Sequence, residues 1–179
     1  MIQDIAPHTY HNEYKPVAPD KSSHILAYEE GKILMKKDGE TMTLPSFGEL
    51  EGKVGNLYEN YSYLFSVDEE HFYLIPDLDT SLLPDYQFEI TRVLRTAEPQ
   101  YLAFAGITGY QLFQWYSKRR FCGYCGKPMV HDKAERKMIC PACGNGEYPV
   151  LSPAVIVGVT NGDKLILSKY EGRNHTRYA

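Results

Sequence analysis

Four cysteines in two closely spaced pairs constrain this chain more than any other feature. Two residues separate Cys122 from Cys125, fourteen residues follow, and Cys140 and Cys143 repeat the spacing. Each pair can form a tight turn, and neighbouring glycines let the backbone bend there without steric cost. Two such turns can present four thiolates at the corners of a tetrahedron, the closed ligand set typical of structural Zn²⁺. The sequence therefore predicts a zinc ribbon over residues 121–148, in which zinc stabilises structure and performs no catalysis.

The compartment in which the chain works decides between metal binding and disulfide formation. The N-terminal segment shows neither a basic start nor an apolar run, so we expect no signal peptide. No run of about 18 apolar residues predicts a membrane span. We therefore expect a cytoplasmic location, where thiols stay reduced and free for metal. A redox-active Cys-x2-Cys would need only one pair, while iron bound by four thiolates shares the geometry and remains an alternative to zinc.

The composition is that of a soluble globular chain whose net charge creates no strong electrostatic field. Of its 179 residues 43% are hydrophobic and 23% charged, and the formal net charge is −4. This weak acidity provides no global attraction for nucleic acid. The one basic cluster, Lys118 to Arg120, lies just before the first cysteine, separated from it by Phe121. At the end of a helix such residues complement the macrodipole, which we favour over a phosphate-binding role.

Strand and turn signals dominate the region before the cysteines. Residues 1–20 are rich in Pro, His, Tyr and Asn and predict an extended arm. Residues 25–35 predict a hairpin around the turn Glu29-Glu30-Gly31. Tyr61–Val67 and His71–Ile75 predict a second hairpin whose alternate aromatic residues supply one buried face. Phe88–Leu94 predicts a last strand, so that residues 21–120 form a small β-rich domain.

Helical spacing appears next, and strand signals return after the cysteines. Between Pro99 and Arg120, apolar residues recur mostly at steps of three and four, which predicts a helix. We expect Trp115 and Tyr116 to pack this helix on the preceding sheet as core residues. Ser152–Thr160 and Lys164–Ser168 flank the turn Asn-Gly-Asp and predict a hairpin. Such a hairpin is marginal alone, so we expect it to open a further domain or to pack on a partner.

The order of these parts resembles the NADH pyrophosphatase (NAD⁺ diphosphatase) family of Nudix hydrolases. The resemblance is carried by WYSKRRFCGYCG at the end of the helix, the ribbon, and EYPVLSPAVIVGVTNGDKLILSKY after it. It implies an α+β chain with a small β-rich N-terminal domain that ends in a helix. A four-cysteine zinc ribbon would follow, and then, over residues 149–179, the first β-hairpin of a Nudix α/β/α sandwich.

One departure from the family concerns the catalytic element. The Nudix box, G-x5-E-x7-R-E-U-x-E-E-x-G-U with U apolar, is absent, because the sequence contains no Arg-Glu pair. In the family the glutamates of this box bind Mg²⁺ or Mn²⁺, which neutralises the pyrophosphate and activates water. The box would begin shortly after a stretch that corresponds to Asn174–Ala179. We therefore expect the parent protein to cleave NAD(H) into nicotinamide mononucleotide and AMP, and this chain alone to be inactive.

The resemblance also implies substrate-contacting residues. An acidic residue of the ribbon and a tyrosine after the last cysteine contact the dinucleotide in the family, and these fall on Glu135 and Tyr148. An arginine of the N-terminal domain also contacts substrate, for which Arg92 and Arg95 are candidates, with Arg92 taken first. The resemblance further implies a homodimer and NAD-capped RNA as an additional substrate.

Plainer interpretations compete with these roles. Glu135 lies among Lys133, Arg136 and Lys137, where a solvated charge is the ordinary expectation. Tyr148 could be a packing residue where the chain leaves the ribbon. The chain as a whole could also be a stand-alone zinc-ribbon module that binds RNA or a protein partner without catalysis, since four-cysteine ribbons occur in several functional classes.

Overall fold

The computed structural model describes residues 1–169 and 171, which belong to two compact units. The first unit is Met1–Pro149 and the second is Val150–Ala179. Asn174–Ala179, the stretch placed just before the expected Nudix box, lies outside the described residues. Among the described residues, no helix has the length and apolar character needed to cross a bilayer. The predicted subdivision at residues 20, 120 and 148 stays a prediction.

Two four-stranded sheets form the framework of the first unit. In chain order its strands are β1 (Tyr10–His11), β2 (His24–Leu26), β3 (Tyr28–Glu29), β4 (Lys32–Asp38), β5 (Thr41–Thr43), β6 (Ser62–Val67), β7 (Glu70–Leu74) and β8 (Gln87–Ile90). One sheet has the order β1-β6-β7-β2, in which only the β2–β7 pair is parallel. In the other sheet β4 pairs antiparallel with β3, β5 and β8. The mixed α+β class is confirmed, whereas a Nudix sandwich is not.

Both faces of the longer strands are buried, because successive side chains point to opposite sides of a sheet. Leu26, Ile33 and Phe72 enter a core that the long helix covers. Ile25, Leu34 and Tyr73 enter a second core on the opposite face. The aromatic residues of the predicted hairpin are buried, and burial extends to both faces of β6, because every residue from 63 to 67 is buried. A bulge between Tyr63 and Phe65 adjusts their pairing.

Two helices accompany the sheets. The short α1 (Phe47–Leu50) begins with a capping box, in which Ser46 and Glu49 each accept from the other's backbone N–H. The long α2 (Gln100–Lys118) confirms the helix predicted from residues 99–120. Gly106 and Gly109 allow α2 to approach the sheet closely, and the Tyr28 hydroxyl donates to the Gly106 carbonyl at 2.7 Å.

Two predicted strands differ in the structure. The last strand ends at Ile90, and Thr91–Arg95 forms a 3₁₀ turn instead of continuing the predicted strand to Leu94. The turn buries Leu94 against the core, which an extended chain leaving β8 would not do. The first predicted hairpin forms through the pairing of β3 with β4. However, β2 pairs in parallel with β7 in the other sheet, so the chain changes sheets at Ala27.

The N-terminal segment, predicted as an extended arm, adds strand β1 to the edge of a sheet. Ile5 is buried in the core beneath α2. Asp68, in the turn between β6 and β7, accepts from the Thr9 N–H at 2.8 Å and bonds His8 Nδ1 at 2.8 Å. The hydrogen bond to His8, followed by that to Thr9, lowers the pKa of the Asp68 carboxyl. These contacts fasten the segment over the sheet.

The ribbon forms a third, small antiparallel sheet. Its strands are β9 (Val130–His131), β10 (Met138–Ile139) and β11 (Gly146–Glu147), with β10 in the centre. Met129 and Met138 are buried and belong to the same core as α2. The Tyr116 ring of α2 stacks on the His131 ring with centroids 4.5 Å apart. Tyr116 therefore joins the helix to the ribbon, beyond its predicted role in packing on the preceding sheet.

The second unit contains a hairpin much shorter than predicted. Its strands β12 (Thr160–Asn161) and β13 (Lys164–Leu165) have two residues each. One further hydrogen bond joins Ile166 N–H to the Val159 carbonyl at 3.0 Å. Large apolar side chains, including Val155 and Ile156, are exposed. An isolated two-stranded hairpin buries too little apolar area to stabilise longer strands, which explains why these strands are short.

The close approach of α2 to the sheet predicts the effect of adding one methyl group. A Cβ at position 109 would lie 2.5 Å from both Leu26 Cδ1 and the Tyr28 hydroxyl oxygen. Gly109→Ala should gain about 1 kcal/mol of helix propensity but lose more through overpacking. We expect the free energy of unfolding in urea to fall by about 1–2 kcal/mol. The exposed Gln111→Ala should change it by less than about 0.5 kcal/mol, and equal effects would contradict the close approach.

Candidate metal centre

Two knuckles with the same hydrogen-bond pattern position the four cysteines. In the first, Cys122 N–H donates to the Lys127 carbonyl and Gly126 N–H to the Cys122 carbonyl, at 2.8 and 2.9 Å. In the second, Cys140 N–H donates to the Asn145 carbonyl and Gly144 N–H to the Cys140 carbonyl, at the same distances. Gly126 and Gly144 have φ angles of 72° and 76°, the left-handed region that glycine adopts at no steric cost. The chain thus builds one local structure twice.

The four sulfur atoms converge on one point. All lie within 4.8 Å of one another, and the pairs Cys122–Cys143 and Cys125–Cys140 are 3.7 and 3.5 Å apart. A tetrahedral Zn²⁺ site with Zn–S bonds of about 2.3 Å requires sulfurs about 3.8 Å apart. None of the cysteines forms a disulfide. The donor set therefore fits a closed tetrathiolate site with no position left open for substrate.

Backbone N–H groups prepare the site for negative charge. The N–H groups of Cys125 and Tyr124 lower the pKa of the Cys122 thiol to about 6, and the Tyr124 N–H lies 3.4 Å from the sulfur. The thiolate is the form that binds metal. Cys122 and Cys140 are buried, while Cys125 is partly exposed and Cys143 exposed. The site is therefore closed on the side that faces the core.

Arg136 fastens the ribbon to the N-terminal part of the unit. One guanidinium nitrogen donates to Asn12 Oδ1 at 2.6 Å, and the other donates to the Leu64 carbonyl of β6. The guanidinium also lies over the Tyr14 ring, 5.7 Å from its centroid. At the other end of the ribbon, Arg119 forms an ion pair with Glu147 of β11. These contacts hold the ribbon at both of its ends. Arg119, a member of the basic cluster, therefore has a structural role.

The two ribbon residues implied by the resemblance lie together. The Tyr148 hydroxyl donates to Glu135 Oε2 at 2.7 Å, and the Lys137 ammonium donates to the same oxygen at 2.8 Å. Lys137 also lies 5.9 Å from the centroid of the Tyr148 ring. Tyr148 is 56% exposed, so its ring is open to a ligand. The Glu135 side chain is 51% exposed and is paired with Lys137, and its role toward a ligand stays a prediction.

This arrangement sets the charge of the pair. The hydrogen bond from Lys137, followed by that from Tyr148, lowers the pKa of the Glu135 carboxyl. The hydrogen bond to Glu135 raises the pKa of the Tyr148 hydroxyl. At neutral pH the pair consequently presents an ionised carboxylate and a protonated phenol. The carboxylate can accept from hydroxyl or amino groups of a ligand, and the phenol oxygen, whose one proton is donated to Glu135, can accept as well.

The arginine candidates lie in another part of the unit. Arg92 and Arg95 belong to the 3₁₀ turn after β8, and both are exposed. They line a cleft of 530 Å³ together with Ile2, Leu94 and Ile107. Within the part of the chain that the structure describes, neither arginine forms a contact with Glu135 or Tyr148. Their assignment to substrate stays a prediction.

Sequence reasoning missed Arg136 and the two methionines of the ribbon. The sequence shows Arg136 only as one of the charges around Glu135. Met129 directly precedes β9 and Met138 begins β10, and large apolar side chains of this kind are usually buried. Nothing in the spacing indicated that Arg136 reaches Asn12 and Leu64, because those partners are far away in the chain.

Residues 117–148 match the family model described as the NADH pyrophosphatase zinc ribbon domain. The match covers all four cysteines together with Glu135 and Tyr148. It confirms, for this part of the chain, the resemblance to the NADH pyrophosphatase family. Together with the four converging sulfurs, it supports the prediction of a structural Zn²⁺ ion.

Three curated proteins, each named NAD-capped RNA hydrolase NudC, are similar to part of the chain. The one from Stutzerimonas stutzeri (strain A1501) is 52% identical over 65 residues, which are 35% of this chain and 24% of the relative. The Citrobacter koseri protein is 39% identical over 70 residues, 39% of this chain and 25% of the relative. The Klebsiella pneumoniae (strain 342) protein is 37% identical over 81 residues, 45% of this chain and 29% of the relative. The chain thus spans only about a quarter of the length of these relatives.

The four-sulfur geometry predicts one tightly held zinc ion per chain. Cys140→Ser should abolish stoichiometric zinc and lower the midpoint of thermal unfolding, because it removes a buried ligand that adjoins the core. Structural zinc sites in small peptides are worth about 10–16 kcal/mol at neutral pH. Elemental analysis and calorimetry measure the two effects. Ala142→Ser, which adds the same side chain between the second pair of cysteines, is the matched control, and full zinc in Cys140→Ser would contradict the site.

The Glu135 contacts predict an order of pKa changes. Lys137→Met should raise the pKa of Glu135 more than Tyr148→Phe, because the hydrogen bond from Lys137 is the larger cause of the lowered value. Both variants move the pKa upward, toward the ordinary value of a glutamate. A ¹³C NMR titration of the Glu135 carboxyl measures the order. Lys133→Met serves as the charge-matched control, and an unchanged titration in Lys137→Met would contradict the arrangement.

Proposed function

We propose that this chain is the N-terminal and zinc-ribbon part of a Nudix hydrolase that cleaves the pyrophosphate of NAD(H). The products would be nicotinamide mononucleotide and AMP, and NAD-capped RNA would be a further substrate of the same reaction. The proposal starts from the ribbon's family and from the names of its relatives. One structural observation supports a contact between the ribbon and the substrate: the exposed Tyr148 and the ionised Glu135 of the ribbon are joined by a hydrogen bond.

The pair has the chemistry to hold one end of a dinucleotide. The Glu135 carboxylate can accept from the hydroxyls of a ribose or from an amino group, and the Tyr148 ring can pack on a base. Lys137 balances the charge of Glu135, so that a ligand hydroxyl can share the carboxylate without meeting uncompensated negative charge. The zinc ion would supply only the rigid backbone on which these residues stand, since four thiolates fill its coordination shell.

Hydrolysis itself requires groups that this chain's 179 residues do not provide. The Mg²⁺ or Mn²⁺ ions that activate water are held by clustered glutamates in the Nudix box, and no Arg-Glu pair of that box occurs here. We propose that these groups belong to the parent protein. Arg92 is proposed as a substrate contact of the N-terminal domain, and a cytoplasmic homodimer is proposed as the working form.

The proposal predicts separate results for the chain and for the complete gene product. The 179-residue chain should release no AMP from NADH in the presence of Mg²⁺, because it lacks the metal-binding glutamates. The complete gene product should release AMP and nicotinamide mononucleotide, as measured by chromatography. In that product Glu135→Gln should raise KM about tenfold at constant kcat, since it weakens a charge-assisted hydrogen bond that is made before the chemical step.

The control for this experiment is Glu30→Gln, which neutralises an exposed carboxylate in the turn before β4 and should leave KM unchanged. Turnover by the 179-residue chain would overturn the account of the missing glutamates. Unchanged KM in Glu135→Gln would instead remove Glu135 from the substrate site while leaving the reaction in place.

A further inference from the structure

A cleft lined by tyrosines lies between the ribbon and the N-terminal part of the first unit. Its volume is 790 Å³, and its lining residues include Tyr14, Tyr58, Asn60, Tyr61, Tyr63 and Lys133. Sites for small molecules commonly enclose about 300–1,000 Å³. Neither the zinc site nor the Glu135–Tyr148 pair uses these tyrosines. We call this feature the tyrosine cleft.

The rings of the tyrosine cleft are held in place from below. The buried Phe47 ring lies 5.5 Å from the Tyr58 ring and 6.2 Å from the Tyr61 ring. Tyr63 packs on the fully buried Tyr73 with ring centroids 5.6 Å apart. A ligand would therefore meet rings whose positions are already fixed, which reduces the entropic cost of binding.

Two of the rings remain accessible above this support. Tyr58 is 39% exposed, and Tyr14 is half-buried, with the Arg136 guanidinium 5.7 Å from its ring centroid. Flat aromatic surfaces that are open to solvent favour flat aromatic ligands, because stacking satisfies both partners. Every nucleobase offers such a surface, and tyrosines are common platforms for it.

Polar groups at the rim match the rest of a nucleotide. Asn60 offers an amide that can both donate and accept, the bidentate pattern that recognises the edge of adenine. Lys133 offers an ammonium group suited to a phosphate. The carboxylates of Glu59 and Asp132 also line the cleft, and the charge of Asp132 is offset by Lys137 at 3.6 Å. The Asn60 and Lys133 side chains are exposed and have no hydrogen-bond or ion-pair partner among the residues that the structure describes.

We propose that the tyrosine cleft binds an adenine nucleotide, with its base against the tyrosines and its phosphate beside Lys133. The nucleotide could be free or part of a single-stranded RNA, since both present the same base and phosphate. The formal net charge of −4 disfavours binding through the backbone of a long nucleic acid. Recognition of the base consequently provides the specificity. This binding does not depend on the proposed pyrophosphate hydrolysis.

NMR spectroscopy of the ¹⁵N-labelled 179-residue chain tests the tyrosine cleft directly. AMP should shift the backbone amides of residues 58–63 and 131–133, whereas ribose 5-phosphate, which lacks the base, should leave amides 58–63 unchanged. Amides 58–61 belong to the cleft and are remote in sequence from Glu135 and Tyr148, so the two sites give different signals. The inference would be overturned if these shifts were absent with AMP up to about 10 mM, a concentration above any dissociation constant of interest.

A trinucleotide of adenosine distinguishes the two sources of the ligand. An affinity equal to that of AMP assigns the cleft to a free nucleotide, and an affinity at least tenfold higher assigns it to single-stranded RNA. Either result supports recognition of the base. Binding of ribose 5-phosphate at these amides with the same affinity as AMP would overturn it, because the tyrosines would then contribute nothing.

Three variants connect the binding to one ring. Tyr58→Leu should weaken AMP binding about tenfold or more, as expected when a stacking partner of a base is lost. Tyr58→Phe keeps the ring and should retain the affinity, which separates stacking from a folding defect. Tyr124→Leu removes a ring that is 85% exposed on the ribbon outside the cleft and should have no effect. Equal affinities for Tyr58→Leu and the unmodified chain would overturn the proposal.

Discussion

The convergence of four cysteine sulfurs is the constraint on which the ribbon and its surroundings depend. The ribbon has three strands of only two residues each, too few backbone pairs to persist alone. Metal closure supplies the missing free energy, because a structural zinc site couples ligand binding to folding. Once closed, the ribbon presents Met129 and Met138 to the core and Arg136 to Asn12 and Leu64. The zinc site thereby also stabilises the contact between the ribbon and the two-sheet part of the unit.

The packing of α2 against the sheets is a second constraint on the structure. Glycines on α2 let the helix axis come close enough for Tyr28 to bond a helix carbonyl, and Tyr116 at the far end of α2 stacks on the ribbon. One helix therefore carries the contact from the core to the metal centre. Because protein interiors are close-packed, a change at the glycines would be felt along the helix.

Local signals in the sequence were sufficient for the metal centre and for most strands and helices. The turn at Gly31 and the apolar period of α2 depend on neighbours within a few residues, and both predictions were confirmed. The cysteine spacing predicted that four sulfurs converge, as they do, and the zinc ion itself stays a prediction. The features that the sequence did not indicate depend on distant partners. The parallel pairing of β2 with β7, the burial of both faces of β6 and the reach of Arg136 are set by tertiary contacts. The last strand ends before Leu94 for the same reason: Leu94 is buried in the core, and the chain forms a 3₁₀ turn there.

Neighbouring residues of the ribbon point to opposite sides. Arg136 turns inward to Asn12 and Leu64, whereas Glu135 turns outward to Lys137 and Tyr148. In evolutionary terms, this stretch can accept new side chains at its outward positions while the docking contact is kept. A change in its length is another matter. Insertion or deletion of one residue between β9 and β10 would move Arg136 away from Asn12 and Leu64, so sequence change should proceed here by substitution at constant length.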